Sequence, residues 1–314
     1  MNHCLQATIF ISCCRLPNKY DFPTDGQSCC LRWSTRYISA VKKGILLVAF
    51  GSASSLGENA LKHFAEKVSG RFPDARVRLA FTSDRMRSRF ATAGKKTDSV
   101  KKALCRMGFE RYTHVAVQSL HLIPGLEYET MAEEARQARE QGGPKHIAVG
   151  RPLLQDPDDV RLAAGALLAH LPPERQPDEA VLCMGHGTWH GGSASYEALS
   201  RAVTYADKLI FIGTLEGEHG IDSLLPAIQK TGAKTVWLLP LLSIIGKHAE
   251  QDMAGTDPTS WRSRIVKAGL ACRPVLKGTV EYAGFAEIWL MHLAKAMQML
   301  TSRGCEAEPE GTED

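Results

Sequence analysis

The stretch ILLVAFGSAS, residues 45–54, decides the fold, because a second stretch of the same form, AVLCMGHGT at residues 180–188, occurs later in the chain. Each is an apolar run that gives way to a glycine and a hydroxyl residue. Continuous apolar runs are typical of strands buried on both faces of a parallel sheet. Two such strands in corresponding positions indicate that the chain contains two similar halves.

Two further pairs of segments extend this internal similarity. In chain order they match VRLAFTSDR (77–85) with KLIFIGTLEG (208–217), and VAVQSLHLIPGLEYETM (115–131) with VWLLPLLSIIGKHAEQDM (236–253). Amphipathic stretches such as ALKHFAEKVSGRF (60–72) separate the strands, and this alternation is typical of an α/β fold. We therefore expect two Rossmann-like halves with doubly wound parallel sheets, residues 42–170 and 178–301, facing each other across a cleft.

The two ends of the chain differ from this regular pattern. Residues 1–41 hold five of the nine cysteines and show no helical or strand periodicity, so we expect a disordered extension. Its apolar stretch LQATIFISCC lacks the preceding basic region of a secretory signal. The other four cysteines are scattered singly, which favours a cytoplasmic location and leaves the periplasm open. Residues 302–314 form an acidic tail, which we also expect to be disordered.

Composition and motifs exclude several classes of protein. A formal charge of +4 with no basic arm does not favour nucleic-acid binding, and no apolar run is long enough to span a membrane. The glycine-rich patterns of nucleotide sites are absent from the sequence, so no nucleotide is expected. Hydrolase chemistry is not favoured either, because Ser193 and Ser195 have no evident base and no nucleophile elbow is present.

Three metal-binding side chains follow three successive strands of the second half. His186 and Glu216 lie just past their predicted strands, and His248 follows the third strand of this half. Because ligands bind beyond the carboxyl ends of strands in open α/β sheets, these residues should converge. Two imidazoles and a carboxylate suit a divalent transition metal. The alternative is that the histidines are solvated and that Glu216 charges a helix start. His190 and His219 fit their loops without binding anything, and we treat them as neighbours of the metal site.

The motifs LLVAFGSAS, QSLHLIPGLEYE, MGHGT, TLEG and LLSIIGKHAEQDMAG resemble the anaerobic sirohydrochlorin cobaltochelatases of cobalamin biosynthesis, in the class II chelatase superfamily. The resemblance covers Lys42 to Met299. It implies two chelatase halves and insertion of Co²⁺ into sirohydrochlorin without a nucleotide. It also implies that the three metal ligands are His186, Glu216 and His248, and that Gln118–Glu127 lines the cleft. Some members of the family are periplasmic and bind haem, for which no ligand is predicted here.

Insertion of a metal requires a tetrapyrrole to lose two pyrrole protons, so the implied reaction needs proton acceptors. His186 and His248 can hold the metal, release it to the ring nitrogens and then accept a proton. The internal repeat pairs Glu127 with His248 and so puts this carboxylate on the opposite wall, as a candidate for a further proton acceptor. Alternatively, Glu127 is a carboxylate that favours a helix start.

Sirohydrochlorin carries many carboxylates, so we expect groups that bind anions along the edge of the cleft. The turn at residues 51–55 offers backbone N–H groups and hydroxyls at a helix start, with Gly51, Ser52 and Ser54 as candidates. A basic stretch at the matching strand end offers Arg85, Arg87, Arg89, Lys95 and Lys96. The alternative is that this basic stretch is a solvated helix face.

Two other functions use the same cleft. One is a chelatase that inserts Fe²⁺ into sirohydrochlorin or another porphyrin, in sirohaem or haem synthesis. The other is a binding protein that carries a metal or tetrapyrrole without catalysis, for which Glu127 would be dispensable. For the main interpretation we expect a homo-oligomer whose partner is the tetrapyrrole sirohydrochlorin.

Overall fold

Each half of the chain folds around a four-stranded parallel sheet. The computed structural model describes residues 41–189 and 192–303. The first sheet has the order β2-β1-β3-β4 and contains β1 (Lys43–Ala49), β2 (Ala75–Phe81), β3 (His114–Ser119) and β4 (His146–Gly150). The second has the matching order β6-β5-β7-β8 and contains β5 (Ala180–Gly187), β6 (Ile210–Glu216), β7 (Thr235–Leu241) and β8 (Ala271–Pro274). The α/β class predicted from the sequence is confirmed.

Nine α-helices flank or join these strands in the described residues. They are α1 (Ser55–Arg71), α2 (Asp84–Thr92), α3 (Val100–Phe109), α4 (Leu126–Glu140), α5 (Pro157–Ala169), α6 (Ser193–Ala206), α7 (Ile221–Lys230), α8 (Trp261–Lys267) and α9 (Ala283–Arg303). A π-helical turn (His248–Met253) and a 3₁₀ turn (Thr279–Glu281) follow β7 and β8 respectively. Side-chain caps mark several helix starts: Ser83 accepts from the backbone of Met86, for example. In the described part of the chain, no helix has the length and hydropathy needed to cross a bilayer.

The largest apolar core lies between the two sheets. Along β1, Ile45 and Leu47 belong to this core, whereas Leu46 packs on the outer face of the first sheet. Successive strand residues point to opposite faces, which explains the alternation. In the second half, Val181 and Cys183 join the same central core from β5. One core therefore holds the two halves together.

The last helix of the second predicted half packs on the first sheet. Helix α9 contacts β3 and β4, and its Trp289 is fully buried against Phe64 of α1, with ring centroids 6.2 Å apart. Further along α9, Nε2 of His292 lies 2.9 Å from a carboxylate oxygen of buried Asp159 in α5. The segment 178–301 thus contributes a helix to the other half.

The predictions for the chain ends lie mostly outside the described residues. Residues 1–40 and 304–314 are not described. Within the described part, α9 continues to Arg303, two residues into the predicted tail that starts at residue 302. The proposed extension at residues 1–41 stays a prediction.

Candidate active site

The carboxyl ends of the two sheets meet. Ser52, just after β1, donates a 2.6 Å hydrogen bond to the carbonyl of Ile245, in the segment after β7. Ser195, in the first turn of α6 after β5, donates a 3.1 Å bond to the carbonyl of Leu154, which follows β4. The strand ends of both halves therefore border one region, which we call the cleft. This is the edge of an α/β sheet at which ligands bind.

Two of the three predicted metal ligands are in contact in this cleft. His186 is the last residue but one of β5, and His248 is the first residue of the π-helical turn. Their ring centroids are 4.9 Å apart and the rings are nearly perpendicular, at 82°. The His248 side chain is 43% exposed, so the pair is accessible from solvent. The fold thus brings together two imidazoles that are far apart in the sequence.

The third predicted ligand lies on the neighbouring strand. Glu216 is the exposed last residue of β6 and pairs in register with Gly187 of β5. Within residues 41–189 and 192–303, no group of three or more His, Cys, Asp and Glu side chains is positioned to hold a metal ion. The histidine pair is therefore preassembled, and the ligand set that includes Glu216 stays a prediction. His219 lies 3.9 Å from Glu197 of α6, and His190 falls outside the described residues.

Glycine at position 187 allows the close approach of β5 and β6 at this end of the sheet. Its φ is +83°, a conformation that side chains other than glycine rarely adopt. A Cβ atom at this position would lie 1.9 Å from the carbonyl oxygen of Glu216. The matching residue of the first half, Gly51, also has a positive φ, of +106°. The strand that carries His186 can therefore end this way only with a glycine after the histidine.

A carboxylate that the sequence analysis missed contacts His248. Asp252 lies four residues after His248 in the same π-helical turn, and its Oδ2 atom is 2.7 Å from Nδ1 of the His248 ring. The only signal in the sequence was the spacing, since side chains four residues apart meet on a helix. Nδ1 of His186 lies 3.3 Å from the carbonyl oxygen of Gly187. Each imidazole of the pair is thus oriented through its Nδ1 atom.

Glu127 lies on the first half and acts electrostatically on the second. It sits in the first turn of α4, and its negative charge contributes to the raised pKa of Tyr196 in α6. Burial is the main cause and raises the pKa of Tyr196 to about 12, although the backbone N–H groups of Gly187 and His186 oppose the rise by favouring the ionised oxygen. Glu127 is therefore near the segment that carries His186. Its role as a proton acceptor stays a prediction.

The hydroxyls of the turn after β1 are bonded to the other half. Ser52 is buried and bonded to Ile245, as described, and Ser54 donates to a carboxylate oxygen of Glu250 in the π-helical turn. Both hydroxyls, predicted to bind carboxylates of a substrate, hold the segment that carries His248. Gly51 forms the turn itself with its positive φ.

With this geometry established, comparison with known proteins identifies the family. A family model described as cobalt chelatase (CbiK) matches residues 43–298. The chain belongs to the cobalt chelatase family. It is 54% identical over 265 residues to the sirohydrochlorin cobaltochelatase CbiKC of Nitratidesulfovibrio vulgaris, with 84% of this chain and 94% of the relative covered. It is 31% identical over 261 residues to the sirohydrochlorin cobaltochelatase of Salmonella typhimurium, with 82% and 98% covered.

A solved structure confirms the chelatase fold of this cobalt chelatase. The structure of SirB from Bacillus subtilis with Fe³⁺ matches with a TM-score of 0.60 and 14% identity, over 84% of this chain and 98% of that one. At this identity the match concerns the fold alone. The resemblance and the fold predicted from the sequence are both confirmed.

The basic residues of α2 in this cobalt chelatase differ in their surroundings. Arg87 donates to the carbonyls that end β2, pairs with Asp84 and is only 17% exposed. Arg85 and Arg89 are exposed and form no ion pair with the described residues. Arg87 therefore stabilises its own turn, and the other two arginines are the ones available to a ligand.

The two lysines after α2 also differ from each other. Nζ of Lys95 lies 2.6 Å from Glu58 of α1, whereas Lys96 is exposed and has no ion-pair partner in the described part of the chain. In the basic stretch predicted to bind carboxylates, the side chains without an ion-pair partner among the described residues are thus Arg85, Arg89 and Lys96.

The segment predicted to line the cleft, Gln118–Glu127, divides into a buried and a cleft part. Gln118 is fully buried and donates to the carbonyls of Ser119 and Arg151, so it joins the ends of β3 and β4. His121 follows, with Nδ1 2.9 Å from the Ser119 hydroxyl, and burial lowers its pKa to about 4. Ile123 lies against Gly192, at the start of α6. His121 is therefore neutral near neutral pH, and Ile123 marks where the segment meets the second half.

Exposed apolar side chains also occur at the strand ends of this cobalt chelatase. Trp189, three residues after His186, is 74% exposed. Phe50, directly after β1, and Leu126, at the start of α4, are also exposed. Large apolar groups exposed around a site that also carries polar ligands are typical of a surface that binds a partly apolar ligand.

Proposed function

We propose that this cobalt chelatase inserts Co²⁺ into sirohydrochlorin, with His186 and His248 binding the metal and Glu216 as the third ligand. The contact between the two imidazoles, at the edge where the sheets meet, is the observation that carries this proposal. The sirohydrochlorin cobaltochelatase names of the relatives support the substrate. Neutral imidazole and carboxylate together suit Co²⁺, and the pair leaves coordination positions open for ring nitrogens.

Proton removal accompanies the transfer of the metal. Two pyrrole N–H protons leave the macrocycle while Co²⁺ passes from the imidazoles to the four ring nitrogens. An imidazole that has released the metal regains a free lone pair and can accept one of these protons. Glu127, on the other half, is the proposed acceptor of the second, because its charge reaches the segment that carries His186.

The surroundings of the histidine pair suit both parts of the macrocycle. Trp189 and Phe50 offer exposed aromatic faces to the flat ring system. Arg85 and Arg89 offer free guanidinium groups to its peripheral carboxylates. We propose that the ring enters between these two kinds of side chain, with its centre over the imidazoles.

The decisive experiment is anaerobic incubation of the purified chain with sirohydrochlorin and Co²⁺, followed by absorbance. We expect His186→Ala and His248→Ala to reduce the rate of insertion at least about 100-fold, because each removes a metal ligand. Both variants should remain folded, since these polar residues contribute little to the core. The matched control is His63→Ala, which removes an exposed histidine of α1 and should insert at the wild-type rate. Wild-type rates for both site variants would place the metal elsewhere.

Iron is the second candidate metal. The matched SirB structure is described with Fe³⁺. The Irving–Williams order gives Co²⁺ a higher affinity than Fe²⁺ at a given site, but the supply of each metal also determines which ion is inserted. Parallel incubations with Fe²⁺, without any nucleotide, measure the preference directly. Formation of a metallated product also separates a chelatase from a binding protein, which would retain the two substrates unreacted.

We also propose that the chain acts in the cytoplasm as a homo-oligomer, with neither nucleic acid nor membrane as a partner. Cys105, Cys183 and Cys272, in the described residues, are free thiols, as is typical of a reducing compartment. Light scattering on the purified chain measures the oligomeric state, and fractionation of cells measures the location.

A further inference from the structure

The π-helical turn at His248–Met253 directs its polar side chains to different partners. His248 contacts the ring of His186, and Asp252 contacts His248. Glu250, between them, accepts a hydrogen bond from Ser54 of the other half. Single π-helical turns occur frequently at functional sites. Asp252 is a residue of this turn that contacts a proposed metal ligand but has no role assigned by the sequence motifs or the proposed function.

The contacts of the two rings determine which nitrogen carries the proton. Nδ1 of His248 lies 2.7 Å from Oδ2 of Asp252, and an ionised carboxylate only accepts hydrogen bonds. Nδ1 must therefore be the donor, which leaves the lone pair on Nε2. The Nδ1 atom of His186 lies 3.3 Å from the carbonyl oxygen of Gly187, which is also only an acceptor. Both neutral rings consequently present Nε2 as the free ligand atom.

We propose that Asp252 is a positioning residue for metal binding by His248. Its carboxylate holds the Nδ1–H tautomer and the orientation of the ring, so that Nε2 of His248 and Nε2 of His186 are offered to one Co²⁺ ion. The negative charge also makes the imidazole a better electron donor to the metal. This inference rests on the proposed function, in which the two histidines bind Co²⁺.

A purely structural role does not account for the contact. The His248 and Asp252 side chains are 43% and 42% exposed, and exposed ion pairs between residues four apart contribute little to stability. Among the described residues, the Asp252 carboxylate has no other hydrogen-bond or ion-pair partner. It is therefore placed to act on His248 and on nothing else in the described part of the chain.

The test is the affinity for Co²⁺ alone, measured by anaerobic titration of the full chain without tetrapyrrole and followed by the visible absorbance of bound Co²⁺. We expect Asp252→Ala to raise the Kd about 10- to 100-fold, the effect typical of losing an outer partner of a metal-bound histidine. Asp252→Asn retains an oxygen acceptor without the charge and should have an intermediate Kd. The matched control is Asp257→Asn, which removes an exposed carboxylate after the same turn and should leave the Kd unchanged.

Two further measurements separate positioning from simple folding. The ¹⁵N NMR shifts of the His248 ring should show the Nδ1–H tautomer in the wild type and a mixture of tautomers in Asp252→Ala. In the insertion assay, the variant should show a raised KM for Co²⁺ and a nearly unchanged kcat, because saturating metal fills the weakened site.

The outcomes are distinguishable from failure of the proposed function. A wild-type Kd and tautomer in Asp252→Ala would overturn the role of Asp252, even if His186→Ala still abolishes Co²⁺ binding. Wild-type Co²⁺ binding in both His186→Ala and His248→Ala would overturn the proposed metal site itself. Should Asp252→Ala not fold, the same comparison is made with Asp252→Asn, and a wild-type Kd there contradicts the inference.

Discussion

At the scale of single residues, glycines control where the functional side chains can lie. Gly187 follows His186 and has a positive φ. The carbonyl oxygen of Glu216 also occupies the space that a Cβ atom at this position would need. The residue next to a proposed metal ligand thus decides whether two strands can end side by side. Gly51 has the same conformation in the first half, where Phe50 replaces the histidine. A glycine with a positive φ therefore follows the first strand of both halves, and the preceding side chain, phenylalanine or histidine, distinguishes the proposed metal site from its counterpart.

We predict that Gly187→Ala lowers both stability and metal affinity. The positive φ alone costs about 1 kcal/mol for alanine, and the overlap with the Glu216 carbonyl forces β5 and β6 apart, so the total loss should exceed about 3 kcal/mol. Urea unfolding measures the first effect and Co²⁺ titration the second. The matched control is Gly142→Ala, which has a φ of +89° but no atom within 4 Å of the added methyl. Equal losses in both variants would show that the approach to Glu216 is unimportant.

At the scale of elements, the connections after the strands divide into structural and exposed parts. The turn after β1 bonds to the segment after β7 through Ser52 and Ser54, so it positions the π-helical turn. In helix α2, which follows β2, Arg87 donates to a backbone carbonyl before the helix start. Arg85 and Arg89 of the same helix are exposed to solvent. An identical residue type in one helix therefore has two different roles.

We predict that the arginines of α2 separate in their kinetic effects. Arg85→Ala and Arg89→Ala should raise the KM for sirohydrochlorin and weaken its dependence on salt, because each loses a charge that attracts carboxylates. Arg87→Ala should instead lower the free energy of unfolding by about 1–3 kcal/mol, since it leaves two carbonyl groups without their donor. Steady-state kinetics at two ionic strengths and urea unfolding check the three variants. An unchanged KM for Arg85→Ala and Arg89→Ala would assign them to the solvated surface.

At the scale of the whole molecule, the two halves share their core and one helix. The central core includes residues of β1 and β5, and α9 reaches from the second half onto β3 and β4. Trp289, fully buried in this helix, packs on Phe64 of the first half. Residues 41–189 and 192–303 accordingly form one compact unit. This fixes the relative position of the strand ends that form the cleft.

We predict that Trp289→Ala destabilises both halves together. Removal of a buried tryptophan should lower the free energy of unfolding by about 3–5 kcal/mol, because the cavity is shared by both sheets. Urea unfolding followed by circular dichroism and by a fluorescent label on Cys105, in the first half, should give one coincident transition. Two separate transitions would show that the halves unfold independently. The control is Trp189→Ala, which removes an exposed ring and should leave stability unchanged.

Much of the site could be predicted because its signals are local. Apolar runs identified the strands, their repetition identified two halves, and the position after a strand selected His186 and His248, which the structure brings into contact. Asp252 was missed, although its spacing from His248 was visible, because only the folded π-helical turn shows which partner it has. The sequence does not reveal that the hydroxyls of Ser52 and Ser54 bond to the other half of the chain, and their binding of substrate carboxylates stays a prediction.

The sequence by itself determined the local features of this protein: two similar α/β halves with parallel sheets, the glycines that end their first strands, and the family to which the chain belongs. These depend on neighbouring residues, whose preferences act within one strand or helix. Only the tertiary structure decided that α9 packs on the first sheet and that Arg87 donates to the carbonyl groups just before its own helix. It also decided that Glu216 lies on the strand next to the one that carries His186. Such contacts join residues distant in sequence, and they are set by how the whole chain buries its apolar surface and satisfies its polar groups.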